Sequence, residues 1–302
     1  MTAVRHVVEV GQFDRLGIER LFTAADRMRE LPRAATPLAG FTLATIFYEP
    51  STRTRLSFEV AVVELGGHPI MLRGDELQLS RGESLRDFAL VLSRQVHAVG
   101  LRTGPHQRVE ELASSSAVPV INLLTSEHHP CQALADLLTL REAFGGLEGL
   151  RLAYVGDGNN VARSLARLAP AAGVEVVVAA PDGHQLEPGS GARLVSDPAE
   201  AVDGANAVYT DVWVSMGDED GAQERRRALA PDRVDDALLD RAAPGAVALH
   251  CLPAHHGEEI TAEVLYGSRQ RVWDQAENRR HVQKALLELL VDPRPEHLGV
   301  DE

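Results

Sequence analysis

The sequence predicts an α/β protein of two doubly wound parallel-sheet domains with an interdomain ligand cleft. Two observations carry this. Short apolar runs of strand character alternate with stretches whose apolar residues recur at helical spacing, which implies parallel strands joined by right-handed crossovers. The alternation halts at the glycines of residues 145–149 and then restarts, and a chain of 302 residues suffices for two cores. The expected domains are residues 1–145 and 146–302, with a last helix at about 277–292 packing back on the first. Ligands of doubly wound sheets sit beyond the carboxyl ends of the strands, so polar motifs at those ends should converge.

An opening helix is expected after Asp14, a possible cap, with Ile18, Leu21, Phe22, Ala25 and Met28 at helical spacing. Residues 41–47 (FTLATIF) suit a buried strand, and Leu56, Phe58, Val60, Val63 and Leu65 suit a helix closed by Gly66-Gly67. Strand-like runs follow at 69–72, 98–101 and 118–122, with helical patterns at 83–96, 106–115 and 131–144. The second series has strands at 151–155, 174–180, 207–210 and 246–249, and helices at 160–171, 235–242, 258–265 and 277–290. Residues 181–190 read as a polar loop, and the tail after Pro293 is assigned no structure.

A formal charge of -14 argues against a nucleic-acid surface, which needs a basic stripe, and against an anionic membrane. It leaves room for small anionic substrates, whose binding follows the local field of a cleft. Two cysteines, Cys131 and Cys251, are too few for a disulfide framework and suit a reducing compartment. The first residues lack the apolar core of a signal peptide, and no run approaches a membrane span, so a cytoplasmic protein is expected.

The most informative stretch is Ser51-Thr52-Arg53-Thr54-Arg55, which follows a strand and the turn Glu49-Pro50 and opens a helix. A helix start offers unpaired N–H groups and the positive dipole end, and hydroxyls and guanidiniums add charge-assisted hydrogen bonds: the pattern suits a phosphate. Arg102 ends a later strand and should point the same way. His129-Pro130-Cys131-Gln132 opens the long helix; an imidazole can polarise a carbonyl oxygen and a carboxamide can bind an amide nitrogen, so an acyl phosphate with an NH2 group fits. Gly156-Asp157-Gly158 before a helix invites a dinucleotide reading, but Val161 stands where the third glycine belongs, and Asn159-Asn160 suits a carboxylate instead. Asp211 and Ser215 after another strand can hold an α-amino group, or simply cap a turn. Cys251, beside His250, can be a nucleophile, although no Cys-His-Asn set is assignable. The pairs His128-His129 and His255-His256 match no common ligand spacing, so no metal is expected.

Taken together, these segments resemble the aspartate/ornithine carbamoyltransferase family from about residue 41 to 290. The motifs are S-T-R-T-R-x-S-F-E from Ser51, R-G-E-S from Arg81, R-T at Arg102 and H-P-C-Q-A-L-A-D from His129. The second half adds G-D-G-N-N from Gly156, D-V-W-V-S-M-G from Asp211, H-C-L-P-A-H from His250 and A-E-N-R from Ala276. S-M-G and H-C-L-P look like the ornithine-using members; the aspartate-using members carry H-P-L-P-R and a basic loop. Glu49-Pro50, Gly104-Pro105, His256 and a short connection from Val178 to Asp197 depart from the ornithine pattern.

The resemblance implies transfer of a carbamoyl group from carbamoyl phosphate to the δ-amine of L-ornithine, giving citrulline and phosphate in arginine biosynthesis. It implies no cofactor, and a homotrimer or an assembly of trimers. Carried over, Ser51, Thr52, Arg53 and Thr54 hold the phosphate, joined by Gln78 of an adjacent subunit. Arg102, His129 and Thr54 polarise the carbonyl, while Gln132 and the backbone at Cys251 and Leu252 take the NH2 group. Asn160, Asp211, Ser215 and Met216 hold the ornithine backbone, Cys251 lies near the δ-amine, and Arg279 adds a cationic contact. The alternatives are another acceptor (aspartate, putrescine or an N-acylornithine), a non-catalytic ligand-binding relative, or a nicotinamide oxidoreductase.

Overall fold

The computed structural model describes residues 6–30, 36–215 and 220–291. It divides into two compact units, Met1–Leu134 with Arg279–Glu302, and Ala135–Asn278. The tail and Met216 lie outside the described residues. No helix among the described residues is long and apolar enough to cross a membrane.

The first unit contains α1 (Arg15–Glu30), β1 (Thr42–Phe47), α2 (Thr52–Glu64), β2 (His68–Arg73), α3 (Leu85–Leu92), β3 (Ala98–Arg102), α4 (Gln107–Ser115), β4 (Val120–Leu124) and the first turn of α5 (Pro130–Phe144). Asp14 does cap α1, accepting the Gly17 amide at 2.7 Å. The five apolar residues that mark this helix in the sequence are all buried. The strands form a parallel sheet of order β2-β1-β3-β4. The chain steps outward from β1 to β2 and then crosses back to β3, so the order reverses between β1 and β3. Ile46, Val99, Leu101, Val109, Leu112 and Val120 form much of the core. In α2 the apolar pattern is only half a core pattern: Phe58 and Leu65 are buried, whereas Leu56 and Val63 are exposed.

The second unit contains β5 (Arg151–Val155), α6 (Asn160–Leu168), β6 (Glu175–Ala179), β7 (Arg193–Val195), α7 (Pro198–Val202), β8 (Ala207–Thr210), α8 (Ala222–Leu229), α9 (Asp236–Leu239), β9 (Val247–His250), α10 (Ala262–Tyr266) and the first turns of α11 (Val272–Val291). Its parallel sheet has the order β7-β6-β5-β8-β9, which reverses between β5 and β8. Three elements escape the sequence reading for physical reasons. The edge strand β7 has three residues, α7 has five, and α8 (AQERRRAL) buries only Leu229, so none shows a period. The helix expected at 258–265 starts later, behind Thr261 as cap, because Glu259 is drawn to His250. The last helix starts earlier than 277, with the Val272 amide held by the Gln270 side chain at 2.8 Å.

Helix α11 continues into the first unit from Arg279. There Lys284 binds Glu64 at 2.8 Å and the Met28 carbonyl at 3.0 Å, and Arg27 pairs with Glu288, which fixes the turn that carries Arg279. Burial decides what each residue of α1 contributes. Leu21→Ala, at a fully buried position, should cost about 2–5 kcal/mol of stability in chemical denaturation. Leu16→Ala, at a position 52% exposed on the same helix, should stay within about 0.5 kcal/mol.

Candidate functional site

In the first unit the polar groups gather where the strand order reverses. Ser51 occupies the N-cap position of α2 in extended backbone, yet its side chain makes no capping bond. Its hydroxyl instead accepts from the Arg102 guanidinium at 3.0 Å. Arg102 ends β3, directly across the sheet from Phe47 at the end of β1, so the register itself brings the two together. The backbone start of α2 is thereby left to an incoming anion. Thr52 and Arg53 stand exposed in this first turn, while Thr54 turns inward. Arg55 does not join them: it pairs with Glu59 one turn on at 3.1 Å.

Arg279, 5% exposed, gathers the rest. It donates to the Thr54 hydroxyl at 2.9 Å and to the Gln132 carboxamide oxygen at 2.9 Å, and its Nη1 lies 3.5 Å from His129 Nε2. His129 sits just ahead of Pro130 at the start of α5, and its carbonyl takes the Gln132 and Ala133 amides. Burial, then the charges of Arg279 and Arg102, hold the His129 pKa well below the usual imidazole value. The ring is therefore neutral at physiological pH and can act as a hydrogen-bond donor. Burial also pushes the Cys131 thiol up to about 11, which makes it chemically inert. Gln78 is exposed on the 3-10 turn Gln78–Arg81, with no side-chain hydrogen bond to this cluster among the described residues. A cavity of about 680 Å³ opens at the same helix start, lined by Tyr48, Glu49, Ser51, Thr52, Arg55 and Asp75 among others.

The second unit repeats the arrangement at its own reversal point. Asp211 follows β8 and is 5% exposed; its carboxylate accepts from Asn159 Nδ2 at 2.8 Å and from the Cys251 thiol at 2.7 Å. Asn159 was legible as a helix start but not as a partner of Asp211. Its side-chain oxygen caps α6, taking the Val161 and Ala162 amides at 2.9 and 3.1 Å, and accepts from Tyr154 at 3.1 Å. Burial first, then Asp211, Cys251 and Asp157, keep the Tyr154 hydroxyl protonated far above neutral pH. Asn160 and Ser215 are half-buried nearby in the chain, at the first residue of α6 and four residues beyond Asp211.

Gly156-Asp157-Gly158 does not serve a dinucleotide. A Cβ on Gly158 would lie 2.6 Å from the His184 carbonyl oxygen, so the glycine admits the protein's own backbone, and the amides that would meet a pyrophosphate belong to Asn159. At the end of β9, Leu252 has φ 59°, a left-handed conformation rare for its side chain, and its amide donates to His250 Nδ1 at 2.8 Å. His250 Nε2 then donates to buried Glu259 at 3.1 Å, and the backbone at 250 is tied to Gln275. Burial alone would raise the Glu259 pKa, but hydrogen bonds from His250 and the His255 amide bring it below the usual value. His250, Glu259 and Gln275 thus fix the Cys251-Leu252 turn, and only their three-dimensional neighbours reveal it. Asp211, His250 and Cys251 hold ligand-type atoms within 4.8 Å of one another. Each is already hydrogen-bonded to protein, so a metal would have to break this network.

Two family models match the chain. One is described as aspartate/ornithine carbamoyltransferase, carbamoyl-P binding domain, over residues 5–142, and the other as the Asp/Orn binding domain of the same family, over residues 148–290. The chain is 53% identical to the ornithine carbamoyltransferase of Acidothermus cellulolyticus over 89% of its length and 90% of that protein. It is 48% identical to that of Anoxybacillus flavithermus, over 92% and 94%. Among solved structures, the ornithine carbamoyltransferase of Pyrococcus furiosus superposes with a TM-score of 0.91 at 44% identity, over 97% of this chain and 98% of that one. The enzyme of Thermus thermophilus gives 0.90 at 43%, over 96% and 100%.

The two thiols should separate in a labelling experiment. With its pKa at about 11 and no exposure, Cys131 should resist Ellman's reagent at pH 8, whereas half-buried Cys251 should react. Native protein is expected to release one thionitrobenzoate per chain, and Cys251→Ala none until denaturant is added; two equally fast thiols would contradict this burial.

Proposed function

The chain belongs to the aspartate/ornithine carbamoyltransferase family, and we propose the following division of labour for its reaction. It transfers the carbamoyl group of carbamoyl phosphate to the δ-amine of L-ornithine, yielding citrulline and phosphate. The carrying observation is the cationic cluster of Arg102 and Arg279 around neutral His129 at the uncapped start of α2. Ser51, Thr52, Arg53 and Thr54 bind the phosphate through hydroxyls, one guanidinium and the helix amides. Arg102 and His129 stabilise the oxyanion that develops on the carbonyl, a contribution of roughly 3 kcal/mol per donor. Gln132 receives the NH2 group through its carboxamide oxygen, which Arg279 orients at 2.9 Å. The backbone of Cys251 and Leu252 contributes to the same group.

Asp211, with Asn160, Ser215 and Met216, takes the amino-acid end of ornithine, and Cys251 stands near the δ-amine. Asp211 supports a free α-amino group, because its carboxylate is an acceptor oriented by Asn159 and Cys251. Putrescine and N-acylated acceptors lack that group. The working assembly in this reading is a homotrimer or an assembly of trimers in the cytoplasm, serving arginine biosynthesis, with Gln78 of an adjacent subunit reaching the phosphate. Exposure of Gln78 in the single chain supports that role.

Purified protein should form citrulline from carbamoyl phosphate and L-ornithine, and no carbamoylated product from L-aspartate, putrescine or N-acetylornithine. Turnover with another amine alone would remove Asp211 from its assigned role. Arg102→Leu should lower kcat by about 10²–10³-fold. The nucleophile is a neutral amine whose free pKa resembles that of lysine, about 10, so kcat/KM for ornithine should rise with pH above neutrality. His129 is neutral across this range, so His129→Gln should lower kcat and leave that rise in place. A limb that disappears with the imidazole would show instead that His129 titrates.

A further inference from the structure

We propose that Arg225 is a positioning residue for Asp211, acting through Asp157, and thereby sets the affinity for the amino-acid substrate. The inference rests on the reading that Asp211 binds the acceptor. Asp157 sits between the two glycines after β5, and both its carboxylate oxygens are used inside the protein. One receives His184 Nδ1 at 2.8 Å, and the other receives Arg225 Nη1 at 3.0 Å. These two bonds tie the loop that carries Asp157 to residue 184 and to α8.

That loop leads straight to the acceptor carboxylate. The Asp157 carbonyl accepts the Asn159 amide at 2.7 Å, and the Gly158 amide donates to the His184 carbonyl at 2.7 Å. Asn159 then orients Asp211 at 2.8 Å. The loop is pressed so closely on residues 184–186 that no side chain fits at Gly158. Its position is therefore fixed on one side by His184 and on the other by Arg225.

Arg225 comes from α8, a helix with one buried side chain, Leu229. The apolar core gives α8 little hold, so its charged contacts decide where it lies. Two consecutive arginines provide them. Arg225 pairs with Asp157, whose side chain is 11% exposed, while Arg226 pairs with Glu258 at 2.9 Å where both side chains are a third or more exposed. Exposed pairs contribute little, whereas loss of one partner of a shielded pair leaves an uncompensated charge that the loop must move to solvate. Arg226 is thus a built-in control on the same helix.

The test is steady-state kinetics of the full chain, with thermal unfolding in parallel. Arg225→Ala should raise KM for ornithine by about tenfold, with kcat within about threefold and KM for carbamoyl phosphate within about twofold. Arg225→Lys should recover at least half of the loss on a logarithmic scale, and Arg226→Ala should change KM for ornithine by less than about twofold. Asp157→Asn should reproduce the Arg225→Ala effect, and the double variant should be no worse than the poorer single one. If Arg225→Ala is not recovered folded, Arg225→Gln, which keeps the stem and a donor, takes its place. Unchanged ornithine KM, an equal rise in both KM values, additive effects in the double variant, or an Arg226→Ala effect as large as that of Arg225→Ala would each overturn the proposal. A wild-type protein that makes no citrulline overturns the functional reading and the proposal with it; wild-type turnover with an unaffected Arg225→Ala overturns the proposal alone.

Discussion

A parallel sheet can open a binding crevice only where consecutive connections leave in opposite directions, because elsewhere each crossover helix covers the strand end beside it. Both units obey this constraint, and in each it brings together one pair of candidate site residues. In the first, the reversal between β1 and β3 sets Ser51 against Arg102; in the second, the reversal between β5 and β8 sets Asn159 against Asp211. Neither pair is close in sequence. Each is joined by strand register, so a register slip of one residue would turn the polar ends toward the opposite sheet face.

The two helices that start at these points are nevertheless prepared for different chemistry. At α6 the Asn159 side chain satisfies the first amides, so the helix start is closed and Asn159 becomes a rigid bracket for a carboxylate. At α2 the N-cap serine is turned away by Arg102, so the helix start keeps its amides for an anion. One choice of cap residue and partner thus separates a site that receives negative charge from one that presents it. The same contrast explains why Gly-x-Gly after β5 is not a nucleotide loop, although its sequence pattern begins like one.

Much of this was legible in the residues. Alternating patterns marked most strands and longer helices, because buried parallel strands are apolar runs and α1 buries a regular stripe. Ser51, Arg102, His129 and Asp211 were legible because each stands at the end of a strand or the opening of a helix. What the sequence did not reveal depends on side chains meeting from distant segments. Arg55 looked like part of the anion trap, but a glutamate one helical turn away holds it. Asn159 suited a carboxylate, and the carboxylate its side chain meets is that of Asp211, 52 residues on. His250 ends β9 and Glu259 lies nine residues on in a stretch with no period, so nothing local announces that they lock the Leu252 turn. Helix α8 was missed because a helix held by arginine–carboxylate pairs has no apolar face to read.

The depressed pKa of His129 measures how the first unit is poised. Burial removes water from the imidazole, and two guanidiniums add to the penalty for protonation, so the ring reports a positive field in a dry place. Three groups that receive Arg279 hydrogen bonds or lie beside its guanidinium, the Thr54, Gln132 and His129 side chains, are neutral. In the proposed reaction these groups are held in place beforehand, and negative charge arrives with the phosphate and with the oxyanion that forms on the carbonyl. Under that proposal the field acts most strongly on charge that develops during the reaction and so favours the transition state over the bound substrate, which is the condition for raising kcat rather than lowering KM alone.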